Sequence, residues 1–372
     1  MIRKIIHVTT VHIRFDPRIF HNEFMSVARA GLWETKLIVA DGQGDAEIPG
    51  ACLRDLGALR RGGRFARLWL GFWRLLFLLG KEKDKRKTIV HIHDPELLAV
   101  AFFLRLMGFR IFYDVHEDLP RQVQSKEWIP GPLKRFVAGL IALAEQSSRV
   151  FVSCYVCATP QIAARFAGAS IVVRNYPPRS MVPETPIKKG EKIVYLGNMS
   201  EARGVMTMLD LMVSLNEKAV EPVVLRLGGA FDSPELEARV RAHPGWQYVD
   251  YVGWVHRDQV ASFFEGAFLG LILIKPYRNY MESSPNKLFE YLAFDLEVLA
   301  SDFPVWRALV EGGEGVSYVD PEDIDAIATA VRQAQARAKK GESPHSADII
   351  RTRYSWEGQF EKLLAQYQKI DA

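Results

Sequence analysis

Short runs of β-branched and aliphatic residues alternate with longer stretches of helical period along the whole chain. In the first half the strand pattern falls at residues 4–10, 35–40, 88–93, 110–116, 149–153 and 170–175. Residues 18–31, 95–108 and 132–148 between them have helical period or length, and the first two stop at glycine. "RNYPPRSMVPETPIKKGEK" (174–192) is rich in proline and charge, the composition of a linker. After it the pattern restarts, with strands expected at 192–198, 222–229, 246–253, 266–274, 296–301 and 315–320 and helices at 203–218, 233–243 and 257–265. Such alternation predicts a parallel, doubly wound α/β sheet, here twice. The expected organisation is a first domain over 1–175, a linker over 176–191, a second domain over 192–350, and a helix over 351–372 returning to the first. Doubly wound sheets bind ligands at the carboxyl ends of their strands, so the expected site is the cleft between the domains.

A chain of 372 residues exceeds what one core usually serves, which agrees with two domains. Its 48% apolar and 25% charged residues are those of a soluble globular protein. The opening "MIRKIIHVTTVHIRFD" has basic residues before an apolar run, but His7 interrupts the run and no small-residue cleavage site follows. It reads as a first strand and not as a signal peptide. Cys52, Cys154 and Cys157 are too few for a disulfide framework and suit a reducing cytoplasm. "SCYVC" holds a CxxC without a second pair of ligands, so buried thiols are expected there and no metal site. The net charge of +4 conceals a local +8 between Arg60 and Lys87, which leaves the remainder at −4. That is a basic patch, not the continuous basic surface of a nucleic-acid-binding protein.

The stretch "MESSPNKLFEYLAFDLEVLASD" (281–302) places Glu282 and Glu290 eight positions apart around a turn that opens a helix. Pro285 suits the first helical position, with Ser283 or Ser284 as the cap. The N–H groups of Asn286, Lys287 and Leu288 then lack partners, and with the helix dipole they make an anion site that the Lys287 ammonium reinforces. Two carboxylates flanking a bound diphosphate can accept hydrogen bonds from hydroxyls on either side, which is the layout of a nucleotide diphosphate sugar. An amphipathic helix with a solvent-facing Glu290 and an ordinary loop Glu282 would show the same spacing.

Other candidates stand at strand ends. In "VYLGNMSEARGVMTMLDLM" a strand, a glycine turn and a helix bring Arg203 to the helix start, where its fork of donors suits phosphate. "YDVHEDLPRQV" places His116, Glu117 and Asp118 just past a strand, and "HIHDPELL" does the same for His93 and Asp94. His7 and His91, inside strands, read as core residues.

Taken in order, "HIRFDPRIFHNEFMSVARAG", "HIHDPELL", "YDVHED", "VVRNYPP", "YLGNMSEARG", "YVGW", "SSPNKLFEYLAFDLEVLASDFP" and "RYSWEGQFEKLLAQY" resemble the retaining glycosyltransferases of family 4, including those of bacterial polysaccharide and lipopolysaccharide assembly. The resemblance covers nearly the whole chain and implies the GT-B fold, two Rossmann-like doubly wound parallel-sheet domains facing across a cleft. It implies a sugar moved from a nucleotide diphosphate donor to an acceptor hydroxyl, with retention, by front-face displacement, with no cofactor and no metal. Glu290 would bind the ribose hydroxyls, Glu282 the donor sugar near the reacting carbon, and Arg203 the pyrophosphate, assisted by Lys287 and the amides at Asn286. His116 would lie near the transferred sugar, the backbone from Gly253 to Val255 would meet the base, and Asp16 to Arg18 would line the donor–acceptor cleft with Asp94 and Glu117. The sequence departs from the family where "HIRFDPR" replaces a Gly-Gly loop and where Asn198, at the donor side, replaces a common arginine. "AFDLEV" lacks the usual glycine, a place where Asp295 tolerates a left-handed backbone better than most residues. No Asp-x-Asp serves as an evident metal motif.

Within residues 60–87, positions 68–79 are apolar on nearly every helical face except Arg74. Twelve such residues make about 18 Å of helix, too short to span a bilayer. Either a core helix or an interfacial one is expected, and Trp69, Phe72, Trp73 and Phe77 between basic clusters suit the second. The interfacial reading makes a cytoplasmic enzyme peripheral on the inner membrane face, with a lipid-linked saccharide as acceptor. The remaining alternatives are a GT-B nucleotide-sugar epimerase, which would not release free nucleotide on demand of an acceptor, and a non-catalytic nucleotide- or sugar-binding subunit. A dinucleotide-dependent dehydrogenase is disfavoured because no G-x-G-x-x-G follows the first strand.

Overall fold

The computed structural model describes residues 1–59, 63–124, 130–166, 168–217 and 222–370, with the backbone alone at 63–67 and 279. Two compact units divide the chain: Met1–Asn175 with Trp356–Ala372, and Tyr176–Ser355.

In the first unit, β1 (Lys4–Val8), β2 (Glu34–Val39), β3 (Ala46–Ile48), β4 (Ala51–Asp55), β5 (Thr88–Ile92), β6 (Arg110–Val115), β7 (Cys154–Cys157) and β8 (Ser170–Val172) form one sheet. Their order is β3-β4-β2-β1-β5-β6-β7-β8, parallel except for the β3–β4 hairpin. Between β1 and β5 the order reverses, so connections leave to opposite sides and open a crevice at the carboxyl ends of these two strands.

Three elements differ from the sequence pattern. Residues 149–153 are not a strand: Ser148–Val150 form a 3₁₀ turn and the strand is β7. The Ser148 hydroxyl donates to the Glu145 carbonyl and meets the Tyr155 hydroxyl, each at 2.6 Å, so the preceding helix Gly131–Ser147 closes over this turn. The CxxC cysteines are strand residues in the core, where burial pushes the Cys154 thiol up to about 12 and away from reactivity. The β3–β4 hairpin was hidden because "AEIPGACLRD" barely alternates. The expected helix over 18–31 is a π-helix, Pro17–Phe24, followed by an α-helix, Met25–Ala30, that ends at Gly31. Asp16 caps it, accepting from the Arg18 and Ile19 amides at 2.9 Å. A π-helix stacks residues five apart, which sets buried Arg18 and Glu23 side by side at 3.2 Å.

One face of this sheet, with Ile6, Val8, Val90 and Ile92, is covered by the helices Gly63–Gly80 and Leu98–Leu106. The Gly63–Gly80 helix packs Phe72, Leu75 and Leu79 inward but leaves Trp69, Trp73 and Phe77, spaced four apart, 65%, 51% and 69% exposed. It is thus a core helix with an uncovered aromatic stripe. Of the basic cluster before it, Arg60, Arg61 and the side chains of Arg64 and Arg67 lie outside the described residues. The opposite face, with Ile5, Ile89, Phe112 and Val156, is covered by Val27 and by the helix Trp356–Lys369 through Trp356, Leu363 and Tyr367. Trp356 Nε1 donates to Ser26 Oγ at 2.7 Å, and Gln359 accepts the Arg174 amide at 3.1 Å.

In the second unit, β9 (Lys192–Leu196), β10 (Val224–Gly228), β11 (Val249–Gly253), β12 (Ala267–Ile272), β13 (Glu297–Ser301) and β14 (Val316–Val319) form a wholly parallel sheet in the order β11-β10-β9-β12-β13-β14. This is the Rossmann order, and its reversal lies between β9 and β12. The helix Asn286–Ala293 starts differently from the expectation. Pro285 is the residue before the first turn, not within it, and no side chain caps the helix. Ser283 closes the short preceding helix Arg278–Met281 instead, donating to the Tyr280 carbonyl at 2.8 Å. Leu288 N–H is taken by the Pro285 carbonyl at 3.2 Å, so the amides of Asn286 and Lys287 form the helix start. Asp295 adopts the left-handed backbone, φ 58°, and its carboxylate accepts the Ser346 amide at 2.8 Å.

Because Trp356 fills the core of the first unit and its indole N–H is satisfied only there, Trp356→Ala is expected to destabilise that unit by about 3–5 kcal/mol. Urea unfolding followed by circular dichroism checks this, and an unchanged midpoint would mean that the terminal helix contributes nothing to the core.

Candidate active site

In the second unit the crevice between β9 and β12 gathers one group of candidates. The chain leaves β9 through Gly197 and turns into the helix Val205–Asn216 at Gly204. A side chain at Gly204 would put its Cβ 1.9 Å from the Leu273 carbonyl, and φ is 76°, so only glycine brings this helix so close to the end of β12. Arg203, one residue before, donates from Nη1 to the Asn198 carbonyl at 3.2 Å, which also accepts the Tyr195 hydroxyl at 2.7 Å. Lys287 reaches the same place from the Asn286–Ala293 helix. Its Nζ lies 5.6 Å from the centre of the Tyr195 ring and against Gly197, where a Cβ would stand 2.2 Å from it. Burial holds the Lys287 ammonium below the ordinary lysine range; Glu290, one turn along, favours its charge and Arg203 opposes it. Two cations are thus held close enough to disfavour each other, beside the open amides of a helix start. An anion of two or more charges relieves that repulsion.

Around this point Asn198 is exposed and donates to Asp232. Gly253 ends β11, and its carbonyl accepts the Gly229 amide at 2.6 Å. Val255 packs its γ-methyl over Gly228. Glu282 is the residue that follows the short helix Arg278–Met281, and its carboxylate lies 3.5 Å from the Arg278 guanidinium.

In the first unit the β1–β5 crevice holds a second group. Asp94, buried at the end of β5, accepts from Thr9 Oγ1 at 3.0 Å, from the Val11 amide at 3.1 Å and from His12 Nδ1 at 2.8 Å. Burial works against its charge, but His12, Thr10 and Thr9 hold it below the usual carboxylate range. His12 Nε2 meets His116 Nε2 at 3.1 Å, and His116 Nδ1 lies 3.4 Å from Asp114 Oδ2. Asp114, also buried, takes a two-pronged contact from Arg18 at 2.9 and 2.7 Å. Burial disfavours the Asp114 carboxylate, yet Arg18, His116 and His93 hold it well below the usual range, while burial and the Asp114 charge drive Glu23 well above. The result is a chain, Arg18–Asp114–His116–His12–Asp94, anchored by buried carboxylates and showing only its two imidazoles to solvent, 22% and 25% exposed. His12 was not a sequence candidate, although a histidine two residues after the Thr9-Thr10 strand end was the available signal. Other candidates are placed elsewhere. Glu117 is exposed beyond the cluster, Asp118 pairs with Arg165 at 3.0 Å, Asp16 is committed to its cap, and Arg18 points inward and lines no open surface.

Residues 190–336 match the family described as Glycosyl transferases group 1. No curated protein matches the chain in sequence. Among solved structures the chain is similar to a sucrose-phosphate synthase from Thermosynechococcus elongatus, 15% identical with a TM-score of 0.76 over 99% of both chains. It is similar to a UDP-forming α,α-trehalose-phosphate synthase from Burkholderia xenovorans, 14% identical with a TM-score of 0.68 over 98% of this chain and 100% of that one. A glycosyltransferase from Rickettsia africae ESF-5 is 10% identical with a TM-score of 0.67, over 99% of this chain and 98% of that one. The fold is GT-B, with two Rossmann-like parallel-sheet units. Together with the domain match it indicates a glycosyltransferase.

The His12–Asp94 pair predicts a pH dependence. Burial lowers the His12 pKa, but Asp94 outweighs it and the net direction is upward from 6.5. A base raised on folding adds stability in full below its unfolded pKa, and that stability fades as pH rises through the folded value. An NMR titration should therefore find His12 above about 6.5 and should find it lowered in Asp94→Asn. No change in that variant would remove Asp94 as the cause.

Proposed function

We propose that the protein is a retaining glycosyltransferase that moves a sugar from a nucleoside diphosphate sugar to a hydroxyl of a saccharide acceptor, in the manner of family 4 enzymes of bacterial polysaccharide assembly. The observation that carries this reading is the convergence of Arg203, Lys287 and the Asn286 helix start on one point, a turn from Glu290, within the matched glycosyl transferases group 1 segment. The donor diphosphate sits on the two cations and the helix-start amides, the ribose hydroxyls donate to Glu290, and the base meets the backbone from Gly253 to Val255, near Asn198. As the bond from the anomeric carbon to the diphosphate oxygen breaks, negative charge grows where Arg203 and Lys287 already stand, so no reorganisation is needed and no metal is called for. The acceptor oxygen bonds to the anomeric carbon from the same face, and its proton passes to the departing phosphate oxygen. Glu282 and His116 contact the transferred sugar, and the Asp114 and His12 contacts fix the His116 ring.

A thermal-shift panel of UDP, GDP, ADP and CDP tests the donor side: the cognate nucleotide at ~100 times its dissociation constant should add about 2.7 kcal/mol. Glu290→Ala should weaken that nucleotide by about 1.5–3 kcal/mol per lost ribose hydrogen bond to a charged acceptor. Lys287→Met should raise the melting temperature of the free protein, since it removes a buried charge, and abolish the nucleotide shift. His116→Ala should lower turnover with nucleotide affinity kept. No stabilisation by any nucleotide, with a folded protein, would reject the reading. Nucleotide release without an acceptor requirement would favour an epimerase.

The acceptor is read from the uncovered stripe of the Gly63–Gly80 helix. Beside it the helices Leu98–Leu106 and Gly131–Ser147, which the strand order sets on the same face of the sheet, expose Leu106, Phe136 and Leu143 at 70%, 62% and 63%. Exposed Lys81 lies over the Phe77 ring at 3.9 Å, and exposed Arg135 precedes Phe136 on its helix. No helix among the described residues is long and apolar enough to cross a membrane. An aromatic, cation-bordered face matches an anionic leaflet, where each basic residue can add about 1 kcal/mol. The proposed acceptor is therefore a lipid-linked saccharide at the inner membrane face. Flotation with anionic vesicles should carry the protein up at low salt and less at high salt, and Trp73→Glu with Phe77→Glu should stop it. Failure to float at low salt would remove the membrane from the proposal and leave the donor chemistry standing.

A further inference from the structure

We propose that His7, Glu23, His91 and His93 form a binding site for one divalent transition-metal ion of the zinc type inside the first unit. All four side chains are fully buried, and one ligand atom from each lies within 4.8 Å of every other. The sheet brings them together. His7 and His91 are register partners on the parallel strands β1 and β5, and His93 lies two residues past His91, on the same face. Glu23 is delivered onto that face by the π-helix, the wide turn that stacks it on Arg18.

What separates this cluster from an ordinary polar core is its unmet hydrogen-bonding capacity. His7 Nε2, His91 Nε2 and both Glu23 carboxylate oxygens have no hydrogen-bond partner and no access to solvent, and the Arg18 guanidinium lies in an ion pair 3.2 Å from Glu23 Oε1. Buried polar groups are nearly always paired, so several orphans in one place mark a missing occupant. The nitrogens and oxygens left over are lone-pair donors of the kind that a cation accepts. The outer contacts fit as well. His91 Nδ1 meets the Tyr367 hydroxyl at 2.7 Å, and His93 Nδ1 lies 3.2 Å from Asp114, which Arg18 holds in turn. Metal-bound imidazoles usually turn their second nitrogen to such a hydroxyl or carboxylate. His93 Nε2 faces His7 Nδ1 at 2.9 Å and exchanges that contact for the ion.

Three imidazoles and one carboxylate suit Zn²⁺, with Co²⁺ as a spectroscopic substitute, and they fill a tetrahedral site without leaving a position for substrate. The ion would therefore hold β1, β5, the π-helix and, through Tyr367, the terminal helix in one register. This role is separate from donor binding in the second unit and does not depend on the proposed reaction.

The test uses the full chain, stripped with a chelator and reloaded with Zn²⁺ or Co²⁺. Expected are one equivalent of zinc per chain by elemental analysis, a higher melting temperature on zinc addition, and the visible ligand-field absorption of four-coordinate Co²⁺. Glu23→Gln and His7→Gln should each lose the bound equivalent and the thermal response, and Tyr367→Phe should weaken zinc by about tenfold, as outer-contact changes do. Should the ligand variants fail to fold, the cobalt spectrum of the unaltered chain decides alone. Less than a stoichiometric equivalent of zinc, octahedral cobalt, or a cobalt–thiolate band placing the ion at the cysteines would each overturn the proposal and leave the cluster to water.

Discussion

The contact on which the first unit most depends is the buried pairing of Arg18 with Asp114. The guanidinium holds Asp114 with two donors, lies beside Glu23 and donates to the Val173 carbonyl at 3.1 Å, so one side chain ties the π-helix to β6 and to the residue that follows β8. All of these groups are buried. Removing one partner of such a pair typically costs about 3–5 kcal/mol, because a charge is left buried alone. The same carboxylate orients His116 and His93, so the groups that show at the surface and those hidden beneath them share one electrostatic anchor. The backbone geometry follows from this demand, since an α-helix would turn Arg18 and Glu23 to different sides.

The second unit meets a similar demand by a different route. Its cations are kept in place by glycines and not by counter-charges. Gly204 permits the close approach of helix and strand, and Gly197 leaves room for the Lys287 ammonium over the Tyr195 ring. At the β9–β12 crevice Glu290 favours the Lys287 charge, while burial and Arg203 oppose it. A buried, poorly compensated cation typically costs stability and favours an anion, the usual exchange of stability for preorganisation at a functional site.

The parallel sheets and the nearness of Arg203, Lys287 and Glu290 were legible in the sequence, because alternating period and strand-end position are local properties. Asp295 was legible too: its tolerance for a left-handed backbone is intrinsic to its short side chain. The strand at 154–157 was not. Cysteine carries no clear polarity signal, and β-branched Val150 and Val152 drew the strand too early when the helix end needed a further turn. The π-helix was hidden for another reason. Apolar residues at 19, 20 and 24 suit an α-helix equally well, and only the inward pull of Arg18 and Glu23 from distant β6 and β5 residues decides between the two. His12 escaped notice because its partners, Asp94 and His116, are more than 80 residues away in sequence.

The terminal helix has a consequence for the order in which the protein can be made. The chain leaves the first unit at Asn175 and rejoins it only at Trp356, with the whole second unit in between. During synthesis the face of the first sheet that carries Ile5, Ile89, Phe112 and Val156 therefore waits, without its cover, until residues 356–369 have left the ribosome. The second unit has no such delay and can close on itself first. A nascent chain with a half-finished apolar sheet is a natural client for chaperones that shield hydrophobic surface. Slow translation just after residue 355 would prolong that exposure while giving the second unit time to order before the first is sealed.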